Sequence, residues 1–209
     1  LGLVLQELGN YKEAKTLWEK ALFSKKKNFG EKHPSTAISY SNLGLVLQDL
    51  GDYNGAKVLL EKALYSDEKN FGEEHPSTAS SLSHLAVVLK DLGDYKGAKV
   101  LLEKALNSDE KNFGEEHPST AIRYSNLGLV LKELGDYKEA KVLLEKALFS
   151  NEKNFGKEHP NTVIIYANLG SVLQDLEDYS GAKVLLEKAL SSDENNFGKD
   201  NPNTAVRYS

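Results

Sequence analysis

The feature that most constrains the fold is an internal repeat with a period of 42 residues. The period is marked by five prolines: Pro34, Pro76, Pro118, Pro160 and Pro202. Cut at this period, the chain gives a partial copy at 1–36, full copies at 37–78, 79–120, 121–162 and 163–204, and the start of another at 205–209. Because repeats of this length pack on their neighbours, we predict a single repeat array over residues 1–209.

Each copy carries the apolar spacing of two amphipathic helices. In the copy at 37–78, apolar residues recur at steps of three and four: Ile38, Leu43, Val46, Leu47 and Leu50, then Tyr53, Ala56, Leu59, Leu60, Ala63 and Leu64. Gly51 is placed to end the first helix in a left-handed conformation, and Asp52 can cap the second. A turn of about two residues forces an antiparallel hairpin. Since stacked hairpins bury the faces that one hairpin leaves open, the pattern predicts an all-α solenoid.

Three copies differ from the others in the turn inside the hairpin. Asn10 with Glu13, and Asp136 with Glu139, have the spacing of a capping box, in which the acid reaches back to the cap residue. Glu177 stands where the other copies have glycine. If that residue must be left-handed, we expect the turn to be strained by about 1 kcal/mol.

The stretch FGEEHPSTA, at 71–79 and again at 113–121, places a histidine among acids and hydroxyl residues, which suggests a metal site, a catalytic site or a joint between hairpins. Asn201 replaces the histidine before Pro202, and a helix cap tolerates that exchange. Equivalent residues of stacked hairpins also lie on the order of 10 Å apart, whereas zinc ligands lie about 2 Å from the metal. We therefore interpret these histidines as helix caps: His33, His75, His117 and His159.

A phenylalanine precedes each of these joints and ends the second helix of its copy. The residues are Phe29, Phe71, Phe113, Phe155 and Phe197. We expect their rings to fill the gap between one hairpin and the next. The glycine that follows would turn the chain, and the proline would start the next helix.

Composition and charge argue against several classes of function. A net charge of −5 argues against nucleic-acid binding, which needs clustered lysine and arginine. No apolar run approaches the roughly 18 residues that span a bilayer, and there is no signal segment or cysteine, so we expect no membrane partner and a cytoplasmic location. We find no catalytic grouping, phosphate-binding loop or metal motif, and expect no enzyme, cofactor or metal. Because the chain starts at Leu1 and lacks methionine, we expect it to be part of a longer protein.

The string Asn42-Leu43-Gly44, followed by Gly51-Asp52-Tyr53, Ala56 and Ala63, resembles the tetratricopeptide repeat. The 42-residue unit with its His-Pro joint resembles the longer variant of kinesin light chains and of many bacterial repeat proteins. The resemblance covers the whole chain. It implies a right-handed superhelix of hairpins that acts as a protein-interaction scaffold and binds extended peptides on a concave face lined by the first helices.

The resemblance also implies which residues line that face. They are Ser41, Asn42, Leu45, Gln48, Ser83, His84, Val87, Lys90, Arg123, Ser125, Asn126, Leu129, Lys132, Ala167, Asn168, Ser171 and Gln174. The asparagines Asn42, Asn126 and Asn168 would hold the main chain of a ligand, because an amide both donates and accepts. The alternative is that they bond within the array and bind nothing. The lysines and the arginine of the set would favour an acidic peptide.

The ends of the chain suggest a second function. Leu1–Gln6 has the pattern of the end of a first helix, and Ala205–Ser209 that of its beginning. Neither end carries a polar capping helix, and uncapped repeats expose apolar faces. The alternative prediction is therefore an architectural spacer or a self-assembling head-to-tail array with no dedicated peptide ligand.

Overall fold

The computed structural model describes residues 1–198, except for the side chain of residue 197. This part of the chain forms ten α-helices and contains no β-strand, which confirms the all-α prediction. The helices are α1 (Gly2–Glu7), α2 (Tyr11–Phe29), α3 (Pro34–Asp49), α4 (Tyr53–Phe71), α5 (Pro76–Asp91), α6 (Tyr95–Phe113), α7 (Pro118–Glu133), α8 (Tyr137–Phe155), α9 (Pro160–Asp175) and α10 (Tyr179–Phe197). The predictions for Asn201, Pro202 and Ala205–Ser209 lie outside the described residues.

The chain divides into two compact units, one spanning Leu1–Ser108 and one beginning at Asp109, so that the boundary lies inside α6. In the first unit, α1 pairs with α2 and α3 with α4, while α2 packs on α3 and α4 on α5. In the second unit, α7 pairs with α8, α9 with α10, and α8 packs on α9. Within each unit, consecutive hairpins therefore pack on one another, as predicted.

The helices of a hairpin pack closely where a glycine of the first helix faces a leucine of the second. A Cβ atom at Gly128 would lie 2.9 Å from Cγ of Leu144, and one at Gly44 would lie equally close to Leu60. Both leucines are fully buried. The missing side chain thus lets the two helices approach closely enough to enclose the leucine.

The histidine before each helix-starting proline is an N-cap, as predicted. Nδ1 of each accepts a hydrogen bond from the backbone amide two residues later, at 3.1–3.2 Å. These caps are His33, His75, His117 and His159. The asparagine that replaces this histidine in the last copy lies outside the described residues.

The prediction that the phenylalanines fill the gaps between hairpins is wrong for those whose side chains are described. Each ring stacks on the cap histidine, with centroids 4.5–4.9 Å apart, and remains 41–57% exposed. Buried polar groups hold the joint instead. The hydroxyl of Thr78 donates to the carbonyl of Gly72, and Ser66 donates to the carbonyl of Lys32 in the preceding joint. The joint is therefore held by hydrogen bonds, and the ring pair remains partly exposed.

The capping boxes predicted at Asn10 and Asp136 are also wrong, because neither side chain caps its helix. Side-chain caps form instead in copies whose third helical residue is glycine. Oδ1 of Asp52, for example, accepts from the amide of Gly55 at 2.9 Å. A Cβ atom at Gly55 would lie 2.4 Å from Oδ2 of Asp52, so a side chain there excludes this carboxylate position. The glycine thus makes room for the cap.

Glu177 has the left-handed conformation that the sequence predicts, with φ of 62°, where the equivalent Gly135 has 84°. We expect Glu177→Gly to raise the free energy of unfolding by about 1 kcal/mol, because glycine adopts this conformation without steric cost. Urea unfolding followed by circular dichroism measures the change. Gly135→Glu is the matched control and should destabilise by a similar amount. An unchanged midpoint for Glu177→Gly would show that Glu177 is not strained.

Candidate functional site

One face of each first helix remains accessible in both units. In α3, this face carries Pro34, Ile38, Asn42, Leu45 and Gln48, which follow one another at helical spacing. Ile38 belongs to the apolar pattern of its helix but is 57% exposed. Leu50 and Tyr53, which follow the same pattern at the turn after α3, are also exposed, at 37% and 36%. The accessible face of α3 therefore includes an apolar side chain.

In the first unit, this face borders a cleft of about 310 Å³ between α3 and α5. Its lining consists of Pro34, Ile38, Ser41, Asn42, Asp67, Phe71, Ser77, Ser80, Ser81 and His84. The α4 residue Asp67 is buried, and its Oδ2 accepts a hydrogen bond from Ser81 Oγ at 2.6 Å. We call this opening the α3/α5 cleft. It presents hydroxyl groups and one buried carboxyl group to a ligand.

In the second unit, the equivalent opening lies between α7 and α9 and has a volume of about 250 Å³. Its lining is Pro118, Ala121, Ile122, Ser125, Asn126, Asn151, Phe155, Asn161, Ile164 and Ile165. Ile122 and Ile164 are 51% and 50% exposed. We call this opening the α7/α9 cleft. Its walls are aliphatic, and it contains no charged side chain.

Most residues of the predicted lining reach the surface in the described structure, half-buried or exposed. They are Ser41, Asn42, Leu45, Gln48, His84, Val87, Lys90, Ser125, Asn126, Leu129, Lys132, Ala167, Asn168, Ser171 and Gln174. Two others have to be removed from the lining. Ser83 is only 2% exposed, which leaves no surface for a ligand. Arg123 is 8% exposed, because it turns towards Asp109 of α6 and forms an ion pair at 2.9 Å.

The exposed isoleucines are the site residues that the sequence interpretation missed. Ile38 was counted only among the apolar residues of the first helix, but it lies four residues before Asn42 and therefore on the same helix face. The copies also differ at this position, where Ser80 replaces Ile38. An exchange of isoleucine for serine between repeats is more compatible with a surface position than with a packed core.

The positive charges expected to attract an acidic ligand are all paired. Lys132 Nζ lies 3.5 Å from Asp175, and Lys90 Nζ lies 3.4 Å from Asp91. The third cation, Arg123, is the buried partner of Asp109. The first-helix face therefore carries no unbalanced lysine or arginine among the residues predicted to bind.

The pKa of the Asp67 carboxyl is raised by burial, an effect that the hydrogen bond from Ser81 only partly offsets. A folded-state pKa above the unfolded value means that this group favours folding at low pH and disfavours it as the pH rises through the folded pKa. We expect Asp67→Asn to stabilise the protein at pH 7 relative to the parent, and the difference to vanish near pH 3. Urea unfolding at several pH values measures it, and a difference that does not change with pH would contradict this assignment.

The described residues show neither a membrane-spanning helix nor a metal-binding cluster. None of their helices is long and apolar enough to cross a bilayer. No three histidine, aspartate or glutamate side chains within that part of the chain come together as metal ligands would.

Helix hairpins repeated along the chain, with an accessible first-helix face, define a class of helical-repeat scaffold. Models of the tetratricopeptide repeat match residues 1–69, 38–111, 77–149 and 162–203. The chain therefore belongs to the tetratricopeptide repeat family. The fold of this family is typical of protein–protein interaction scaffolds, and its members are generally not enzymes.

Solved structures place the chain near kinesin light chain-like proteins of this family. One such structure contains TPR-like repeats, nearly identical to one another, of a kinesin light chain-like protein from Podosopora anserina. This chain is 27% identical to it over 93% of this chain and 92% of that one, with a TM-score of 0.77. It is 26% identical to BtubC (BKLC) from P. vanneervenii, over 97% and 81% of the chains, with a TM-score of 0.78. RapI is 19% identical and shares the fold, with a TM-score of 0.74 over 99% of this chain and 55% of that one. No curated protein gives a significant sequence match.

Proposed function

We propose that this protein is a non-enzymatic scaffold that binds an extended segment of a partner protein on the accessible face of its first helices. The observation that carries this proposal is the recurrence of the same cleft in both units, with an asparagine beside an exposed isoleucine in each: Asn42 with Ile38, and Asn126 with Ile122. Ligand sites commonly combine apolar walls with a few polar groups that orient the ligand. The cytoplasmic location expected from the sequence belongs to this proposal.

The asparagines and the residues that line the clefts have different roles in this proposal. An extended peptide has unpaired backbone N–H and C=O groups, and asparagine side chains can bond to both. Asn42, Asn126 and Asn168 are half-buried, so that the helix surface restrains them and less conformational entropy is lost on binding. The clefts then receive side chains of the peptide. Affinity would come from the main chain and selectivity from the clefts.

An acidic ligand is not part of this proposal. Lys90, Lys132 and Arg123 all have carboxylate partners in the protein. A bound acid would have to compete with these carboxylates, which reduces the gain from a new ion pair. The carboxyl group at the α3/α5 cleft favours the opposite charge.

Capture of peptides from a random library tests the proposed function. The parent chain is compared with the triple variant Asn42→Ala, Asn126→Ala and Asn168→Ala, and circular dichroism establishes that both are folded. We expect the parent to enrich a set of related peptides and the variant to lose that enrichment by about tenfold or more, equivalent to about 1.4 kcal/mol. Equal enrichment on both proteins would exclude the asparagines from binding, and no enrichment on the parent would overturn the proposed function.

The exposed apolar face of α1 favours a second candidate function, association between copies of the chain. Val4 is 57% exposed, whereas its equivalent in the next copy, Val46, is fully buried. Leu1, Leu3 and Leu8 are exposed as well, at 82%, 61% and 67%. A further hairpin of the same type would bury this face, and a second copy of the chain could supply one.

Light scattering over a wide concentration range tests the self-association. We expect the average mass to rise with concentration, and Val4→Lys to suppress the rise because a charge would be buried in the contact. Val58→Lys is the matched control, since Val58 is also exposed, at 51%, but lies on α4. A mass that stays monomeric throughout would overturn this candidate.

A further inference from the structure

We propose that the two clefts, each within its own unit, select different classes of ligand side chain. The α3/α5 cleft takes a lysine or arginine, with Asp67 as its counter-ion, and the α7/α9 cleft takes an aliphatic side chain. This inference rests on the proposed function, because it assumes that an extended segment binds to the first helices. It assigns one chemical class of ligand side chain to each cleft.

The clefts occupy equivalent places in the repeat, and only a few of their residues change their chemistry. The proline, the isoleucine, the serine and the asparagine on the first wall are the same in both, as is the phenylalanine at the end of the second helix. The second wall and the floor differ. Ser80 and Ser81 of the α3/α5 cleft correspond to Ile164 and Ile165 of the α7/α9 cleft, and Asp67 corresponds to Asn151.

The array itself shows that a guanidinium group can pair with a carboxylate at the position of Asp67. In the next copy, the equivalent residue is Asp109, and Arg123 Nε lies 2.9 Å from its Oδ2. Arg123 is the equivalent of Ser81. At the α3/α5 cleft, the short serine therefore stands where the arginine side chain of the next copy begins, and an open volume of about 310 Å³ adjoins it. A cationic side chain of a ligand can enter from outside and approach Asp67 as Arg123 approaches Asp109.

The charge of the α3/α5 cleft agrees with this assignment. Asp67 and His84 are the ionisable side chains of its lining, and Phe71, Ser77 and the remaining residues are uncharged. Outside the lining, His75 is close enough to interact electrostatically with the carboxylate. At a pH of about 8, where histidine is ordinarily neutral, the cleft therefore carries one negative charge. A buried carboxylate gains more from a cation than an exposed one does, since water screens the pair less.

The α7/α9 cleft lacks the carboxylate of the other cleft. Its carboxylate position is occupied by the neutral amide of Asn151, and the wall that carries serines in the other cleft carries Ile164 and Ile165. Ile165 is buried, but Ile122 and Ile164 are 51% and 50% exposed and leave aliphatic surface open to solvent. An aliphatic side chain of a ligand would cover that surface and gain from its removal from water. A lysine or arginine would lose hydration there without meeting a counter-ion.

Repeated sequence supplies matched variants for the test. Asp67→Asn copies Asn151 into the first cleft, and Ile164→Ser copies Ser80 into the second. The full chain is screened against a random peptide library at a pH of about 8, and the enriched peptides are sequenced. We expect the parent to capture peptides that share a basic residue and peptides that share an aliphatic residue. Asp67→Asn should remove the preference for the basic residue alone, and Ile164→Ser the preference for the aliphatic residue alone.

A double-mutant cycle on the best peptide makes the assignment specific. We expect Asp67→Asn to weaken binding of this peptide by about tenfold, equivalent to about 1.4 kcal/mol. The same substitution should leave unchanged the affinity for a peptide with methionine in place of the basic residue. Equal weakening of both peptides would overturn the role of Asp67. If the parent captures peptides, but neither variant changes which residues are enriched in them, this inference fails and the proposed function stands. If the parent captures none, both fail.

Discussion

Replacing Arg123 by alanine should destabilise the protein by about 3–5 kcal/mol, because it leaves the charge of Asp109 buried without its partner. The two side chains are 9% and 1% exposed, and their contact distance is 2.9 Å. Neither charge can recover much hydration from solvent while the repeat remains folded. Urea unfolding of the parent and the variant, followed by circular dichroism, measures the loss.

The chain offers its own control for this experiment. Asn151 and Ile165 occupy the equivalent positions in the next copy and are both buried, at 5% and 3% exposure. Asp109→Asn combined with Arg123→Ile copies that neutral pair, and should restore most of the lost stability, since replacing both members of a buried ion pair is often neutral or stabilising. A double variant as unstable as Arg123→Ala would show that packing of the arginine side chain, and not its charge, is what the junction needs.

The destabilisation by Arg123→Ala should also depend on pH. Burial raises the pKa of Asp109, and Arg123 partly opposes that rise, so that the pKa of Asp109 in the variant lies higher still. A group whose pKa is higher in the folded state than in the unfolded state stabilises the protein below its unfolded pKa. This stabilisation is lost as the pH rises through the folded pKa. We therefore expect the difference between Arg123→Ala and the parent to be largest at neutral pH and to shrink below about pH 4. A loss independent of pH would contradict the buried-charge explanation.

The second large effect is expected at the helix contact inside the α7–α8 hairpin. Leu144→Ala should destabilise the protein by about 2–5 kcal/mol, through lost burial and the cavity left behind. Leu144 is fully buried, and it faces Gly128, which has no side chain to fill the space. Urea unfolding measures the change. Val142→Ala is the control on the same helix and should alter stability by no more than about 0.5 kcal/mol, because Val142 is 51% exposed.

A second variant tests whether the cavity is the cause. A Cβ atom at Gly128 would lie 2.9 Å from Leu144 Cγ in the parent, but that atom is absent after Leu144→Ala. Gly128→Ala should therefore cost stability in the parent and recover part of it in the Leu144→Ala background. If Gly128→Ala changed the stability equally in both backgrounds, the two positions would not share this space.

Much of the fold could be predicted from the sequence because its causes are local. The 42-residue period, the helix spacing within a copy and the His-Pro and Gly-Asp signals act over a few residues of chain. The cap histidines and the left-handed conformations of Gly51 and Glu177 were predicted for this reason, and the structure confirms them. The capping boxes were not confirmed, since Asn10 and Asp136 met the residue pattern but not the geometry.

The candidate site was predicted less completely. The family resemblance, and not the sequence pattern alone, indicated Asn42 and its equivalents as lining residues, and they are half-buried in the structure. Periodicity does not tell an exposed apolar residue from a core one, and Ile38, which belongs to the apolar pattern of its helix, is 57% exposed. The resemblance also placed Arg123 in the lining, but the carboxylate of Asp109 on another helix allows it to be buried. Such outcomes depend on residues distant in sequence.

The sequence by itself determined the repeat, the two helices of each copy and the residues that cap them, because these follow from contacts within one copy. Only the tertiary structure decided which apolar and charged side chains remain available to a ligand. It left Ile122 and Ile164 exposed beside the α7/α9 cleft and buried Asp67 beside the α3/α5 cleft. The physical reason is that exposure and charge pairing depend on the neighbouring hairpin, and near-identical repeats acquire different surfaces through a few substitutions at their contacts.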